Sequence, residues 1–200
     1  MTRHLAFSIF AALALSACST TSTTFTDTWK DPEAQRLDFK KILTVVITDE
    51  DIIRRSAETR LAKNITKAEA VPSYTFLTRD DLKDVERAKA KVLERGFDGA
   101  IVLRIVAVDE EQQYVSGRYV ADPSMSFWGY YGYYWPRVYE PGYAISKQVV
   151  IVESKIYSVK DEKMVWSGLS RTIQPESVKR LIDELAEEGG KVLREQGLID

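Results

Sequence analysis

Two of the side chains that carry most enzymatic chemistry are almost missing from this sequence. His4 is its only histidine and Cys18 its only cysteine. Without an imidazole there is no group that titrates near neutral pH unaided, and a lone thiol offers neither a disulfide nor an ordinary zinc site. His4 also lies in the first seventeen residues, which read as a removable leader. Any catalysis in the mature chain would have to run on carboxylates, Lys, Ser or Tyr. These absences predict a protein that is not an enzyme and holds no cofactor and no metal. Excess positive charge is lacking too: without Arg3 the chain carries 27 Lys and Arg against 30 Asp and Glu. A nucleic-acid partner is therefore not expected. There is no GxGxxG, no P-loop and no GxSxG. "GYYGYY" has the glycines of a phosphate loop, but its flanking rings would block a phosphate. The acidic runs "DED" (Asp49–Asp51) and "DEEQQY" (Asp109–Tyr114) lack the alternating oxygens and the glycine turn of a calcium loop. They read as helix-start and strand-end charges.

Long apolar runs are also absent. The longest, Leu5 to Leu15 behind Arg3, is too short to span a bilayer, so residues 1–17 read as a secretory signal peptide. Its end, Leu15-Ser16-Ala17-Cys18, resembles the bacterial lipobox. That resemblance implies cleavage between Ala17 and Cys18, acylation of Cys18, and a membrane partner reached through the lipid. An ordinary signal with a chance cysteine is the alternative. Ser19 stands where an Asp would retain such a lipoprotein in the inner membrane. The resemblance therefore implies the periplasmic face of the outer membrane of a Gram-negative cell. "STTSTTFTDT" (Ser19–Thr28) is Ser/Thr-rich, so residues 18–38 are read as lipidated cysteine plus flexible tether. That leaves 39–200 as one domain, long enough for a proper core. Trp29 is either the junction of tether and body or a core residue.

Within 39–200 the periods alternate. Lys40–Thr48, "KKILTVVIT", is a β-branched apolar run and predicts a buried strand. Ile53, Ala57, Leu61 and Ile65 recur every four residues and predict an amphipathic helix. "AEAVPSYTFL" predicts a strand that Pro72 confines to a sheet edge. Thr78 to Asp81 fits a capping box ahead of a helix with Leu82, Val85, Ala88 and Val92 on one face and Gly96 at its stop. "DGAIVLRIVAVD" predicts a central strand, with Arg104 half-buried beside a carboxylate or at the sheet rim. "KQVVIVESKIYSV" and "KMVWSGLSRTI" predict a hairpin turning at Lys160–Glu162. From Pro175, at a first helical position, a 3.6-residue period runs to Gly197. Gly189-Gly190 inside this last helix suggests close approach of its backbone to the sheet. The fold class is thus α/β: a single mixed sheet in the order β-α-β-α-β-loop-β-β-α, with helices packed on it.

Taken in order, "FKKILTVVITDEDIIRRSAETRLA", "AVPSYTFL", "RGFDGAIVLRIVAVD" and "DEKMVWSGLSRTI" resemble a group of uncharacterised bacterial lipoproteins. Members of that group carry a Tyr/Trp/Gly-rich insertion before the terminal hairpin. The element order is also similar to the periplasmic domain of penicillin-binding-protein activator lipoproteins and to the N-terminal domain of TolB. That second resemblance is architectural and implies a binding module without catalysis.

What is abundant here is aromatic. "SFWGYYGYYWPRVYEPGY" (Ser126–Tyr143) holds nine rings, within an expected loop over 122–146. Three readings stand: a lid over its own sheet, a contact surface for a protein or glycan, or a loop resting on the membrane interface. Trp128, Tyr131, Tyr134 and Trp135 are the expected contact residues, and an envelope protein or peptidoglycan the expected partner. The expected function is a non-catalytic binding, assembly or regulatory role in the envelope. Its rivals are a carboxylate-dependent cell-wall glycan hydrolase or transferase and an oligomeric secretion subunit, such as the curli secretion channel.

Overall fold

The protein is described from a computed structural model, which covers residues 23–115 and 143–200, with backbone alone at 113–115 and 143. Six strands make one sheet: β1 (Thr23–Lys30), β2 (Lys41–Ile47), β3 (Glu69–Pro72), β4 (Gly99–Val115), β5 (Tyr143–Ser158) and β6 (Lys163–Ile173). Their order across the sheet is β1-β6-β5-β4-β2-β3. Three helices complete the described fold: α1 (Asp51–Asn64), α2 (Val85–Glu94) and α3 (Val178–Glu195). Strand β2 runs parallel to both β3 and β4, because α1 and α2 return the chain to the same end of the sheet. The hairpin strands pair antiparallel. The mixed α/β sheet expected from the periodicity is the one observed, and β3 with Pro72 lies at its edge as Pro requires.

The tether is shorter than its composition suggested. From Thr23 the Ser/Thr-rich stretch is strand β1, antiparallel to β6, so the body starts there and not at residue 39. Threonine is β-branched and suits a pleated edge. Two inward side chains fasten this strand. Thr23 Oγ1 lies 2.7 Å from Thr172 Oγ1 and donates to Glu184 Oε2 at 3.0 Å. Phe25 meets the Trp166 ring edge-on, centroids 5.7 Å apart. Trp29, further along β1, is 45% exposed and is not a core residue.

Helices α1 and α3 cover one face of the sheet. Ala57 and Leu61 of α1 and Leu181, Ile182 and Leu185 of α3 pack on Leu103, Val150 and Val152. The two helices are clamped by Arg60, which donates from Nη2 to Asp183 Oδ2 at 2.5 Å. A second cluster gathers around Ile156, Trp166 and Leu198. There the packing reaches the backbone: a Cβ on Gly168 would lie 2.4 Å from the Trp166 ring and 2.8 Å from Phe25. The glycines of α3 are different. A Cβ on Gly189 would meet Phe25 at 3.6 Å and one on Gly190 would meet Arg194 at 3.5 Å, both ordinary contacts. The close helix approach expected at that pair is therefore not found; the glycine on which side chains close tightly is Gly168, on strand β6. Helix α3 also starts later than Pro175. Its first turn begins at Val178, where Ser177 Oγ accepts from Arg180 N at 3.1 Å.

The corner between α1, β2 and the turn after β3 is polar and buried. Glu58 is fully buried, and its carboxylate accepts from Arg54 Nε (3.1 Å), Ser73 Oγ (2.7 Å), Val46 N (3.1 Å) and Tyr74 N (2.9 Å). The reason lies in the register. β2 pairs with β3 only as far as Thr44 and Pro72, so Val46 presents an N–H on that side with no strand to receive it. Glu58 satisfies it, as buried backbone donors require. Arg54 is held in turn by Ser73 Oγ at 2.8 Å and the Leu77 carbonyl at 3.3 Å.

Candidate functional site

The feature that sets one end of the molecule apart is the length of β4 and β5. β2 follows β4 only to the pair Ile47–Arg104, and β6 follows β5 only from Ile173–Val149. The β4–β5 pairing nevertheless continues to Val115–Tyr143. Beyond the body these strands form a two-stranded ribbon about 20 Å long, at ~3.4 Å per residue. In sequence, residues 116–142, which include most of the aromatic segment, join its two strands. Trp128, Tyr131, Tyr134 and Trp135 lie outside the described residues, as do Ala17 and Cys18.

The ribbon's root is built for exposure. A bulge between Ile105 and Ala107 inserts Val106, which locally strengthens the twist of the pair. Ile105, Val106 and Val108 are about half exposed, and so is Ile47 beside them. The β4 edge facing β2 is free of any described strand from Ile105 on. Above these residues two ribbon carboxylates are engaged by neighbouring side chains. Arg171 Nη2 donates to Glu111 Oε2, and Ser146 Oγ donates to Glu110 Oε2 at 3.2 Å. On the sheet face opposite α1 and α3, Arg104 donates to Glu153 Oε2 at 3.0 and 3.1 Å. Lys155 reaches the other Glu153 oxygen at 3.0 Å. These two cations, Lys155 first, draw the Glu153 carboxyl below its usual range. The carboxylate expected beside Arg104 is thus Glu153, but Arg104 is exposed and not half-buried.

One carboxylate of each acidic run singled out from the sequence forms an ion pair, Asp51 with Arg55 and Glu111 with Arg171. Asp51 accepts from Arg55 Nε at 2.6 Å in the first turn of α1, and this hydrogen bond lowers its pKa. Among the described residues no group of three or more His, Cys, Asp or Glu side chains is placed to hold a metal. No described helix is long and apolar enough to cross a membrane.

A register detail ties the ribbon to the amino end of the body. Thr23 pairs with Thr172, one residue from the Ile173–Val149 pair at which the ribbon leaves the sheet. The start of β1 and the base of the ribbon therefore occupy the same end of the sheet. Nothing in the Ser/Thr-rich stretch signalled this, since it follows from which strand β1 joins.

No protein-family model and no curated protein matches the chain. Among solved structures it is similar to a PelC dodecamer from Paraburkholderia phytofirmans, at 14% identity and a TM-score of 0.43, over 86% of this chain and 94% of that one. It is similar to lipoprotein GNA1162 from Neisseria meningitidis at 15% identity and a TM-score of 0.37, over 78% and 99% of the two chains. A minor lipoprotein from Acinetobacter baumannii aligns at 12% identity and a TM-score of 0.36, over 82% and 98%. Bacterial lipoproteins are thus among the structural neighbours of this chain, at identities and scores that carry no activity or partner across.

Proposed function

We propose that this protein is a lipoprotein anchored through acyl chains on Cys18 to the periplasmic face of the outer membrane. It acts there without catalysis, by binding an envelope protein or peptidoglycan through the aromatic segment. The observation that supports this reading most is the shared end of the sheet. Thr23 lies five positions after Cys18, a span of at most about 17 Å when extended. The ribbon leaves from that same end and is about 20 Å long. A lipid on Cys18 would thus hold the ribbon, whose strands the aromatic segment joins in sequence, close to the bilayer surface, among membrane-bound neighbours. Tyr and Trp suit such work because they give large, stiff contact area with polar tips.

Replacing Trp128, Tyr131, Tyr134 and Trp135 together with Ser should abolish the protein's cross-linked envelope adducts while leaving its abundance and membrane association unchanged. Adducts that persist unaltered in the quadruple variant would overturn the assignment of the binding surface. The anchor is tested separately. Cys18→Ser should stop labelling by radioactive palmitate and release the protein from sedimenting membranes.

A further inference from the structure

Where α1 and α3 meet the sheet, the core does not close. A cavity of about 340 Å³ lies between the two apolar clusters. Its walls include Leu61, Leu103 and Leu185 from one cluster and Ile156 and Trp166 from the other. The volume falls in the range of small-molecule pockets. An apolar cavity of about 150 Å³ takes a six-carbon benzene. By that scale this one takes about a dozen carbons.

Its mouth differs in character from its walls. Arg36, Lys67 and Arg194 stand there with Asp38 and Asp200. Asp38 is engaged by Lys40 at 2.7 Å. Asp200 receives Arg36 on its side chain and Lys67 on its carbonyl, the latter at 3.2 Å. The Arg194 guanidinium lies back along α3, where a Cβ on Gly190 would touch it at 3.5 Å, and it pairs with no described residue. An apolar chamber with a free cation at its entrance, beside two cations that already hold a carboxylate, fits an amphiphile with an anionic head.

We propose that this cavity binds a single hydrocarbon chain of roughly a dozen carbons bearing a carboxylate or similar anionic head, the chain between α1 and α3 and the head on Arg36, Lys67 and Arg194. The site is separate from the ribbon and does not depend on what the aromatic segment binds. Small residues on α3 keep it open: Ala186, Gly189 and Gly190 line it where larger side chains would fill it.

The test uses the full-length protein in its own membranes and lauric acid carrying a diazirine near its methyl end. On irradiation, adducts should map to peptides spanning 61–68 and 185–194. Excess unlabelled laurate should displace them, and Ala186→Trp, which fills the chamber, should reduce them at least tenfold. The double variant Arg36→Ala/Arg194→Ala leaves the apolar walls intact, so it keeps the test valid should Ala186→Trp not fold. It should cut capture of the acid several-fold while leaving capture of the matching diazirine alcohol unchanged. Adducts that laurate does not displace, that map elsewhere, or that survive Ala186→Trp would overturn the site. Equal loss of acid and alcohol in the double variant would overturn the role of the cations.

Discussion

Helices α1 and α2 make the same kind of connection, each crossing between strands parallel to β2, yet the sheet treats them oppositely. α1 brings few large apolar side chains but sinks Arg54, Ala57, Glu58 and Leu61 into the body. α2 has a clear apolar stripe and buries none of its residues, with Val85 73% and Leu93 50% exposed. Periodicity tells which face of a helix is apolar. It does not tell whether a surface waits to cover that face. What secures α1 is a set of directed bonds to backbone groups that the sheet leaves unpaired, which no spacing rule in the sequence encodes. What secures α2 is mostly at its start. Asp81 and Thr78 form the expected capping box, Thr78 N donating to the carboxylate at 2.8 Å and Asp81 N to Thr78 Oγ1 at 3.2 Å. The box opens only a short turn, Asp81–Lys83, and the helix starts afresh at Val85 under Asp84, which accepts from Arg87 N at 3.0 Å.

The contrast can be broken most forcefully at α1. Glu58→Ala strands Arg54 in the interior and leaves Val46 N and Tyr74 N without acceptors. Removing one partner of such a buried pair should cost about 3–5 kcal/mol, read as a lower urea midpoint. Glu58→Gln keeps the shape and part of the hydrogen bonding, and should lose less. Gly168→Ala is next. It forces a methyl group against Trp166 and Phe25, and overpacking of this kind should cost about 1–3 kcal/mol in the same assay.

At the α2 end the effects should be smaller and should depend on acid. The Asp81 side chain accepts from Lys91 Nζ at 2.7 and 2.8 Å as well as from Thr78. Lys91 first, then Thr78, holds its carboxyl far below the usual carboxylate range. A lowered folded-state pKa gives stability that is present above the unfolded value of about 4 and lost as the pH falls below it toward the folded value. Thermal melts of Asp81→Asn should therefore lie below those of the native protein at neutral pH and converge with them in acid. Val85→Ser, on the exposed stripe, should shift stability by less than about 0.5 kcal/mol. A larger loss there would mean that the stripe is covered after all, and the contrast between the helices would fall.

The same contrast explains what the sequence made legible. The types of strands β2 and β4 and helix α3 are readable because their partners impose the pattern the sequence shows, although β4 runs on to Val115, past the expected end at Asp109. The stops at Gly96 and Gly197 are readable as well, since both carry positive φ and glycine adopts that conformation freely. Strand β1 was not readable, because an edge strand with one inward ring, Phe25, has the composition of a linker. Nor was the role of Glu58, because an Arg and Glu four apart on a helix normally mark a solvated face. The ribbon was not readable: Asp109–Gln113 is a polar run without alternation, residues 143–146 fall in the expected loop, and only the register shows that the two strands outrun their neighbours.

The pairing of Thr23 with Thr172 also has a bearing on how the molecule is made. The first strand of the body must wait for the sixth, almost 150 residues later, and closing so wide a loop is slow compared with local steps. As the chain emerges from its amino end, β2, α1 and β3 can assemble early, while Thr23–Lys30 stays extended and unclaimed. The β1 edge can be completed only once β6 exists, so its closure reports that the chain has emerged at least as far as Ile173.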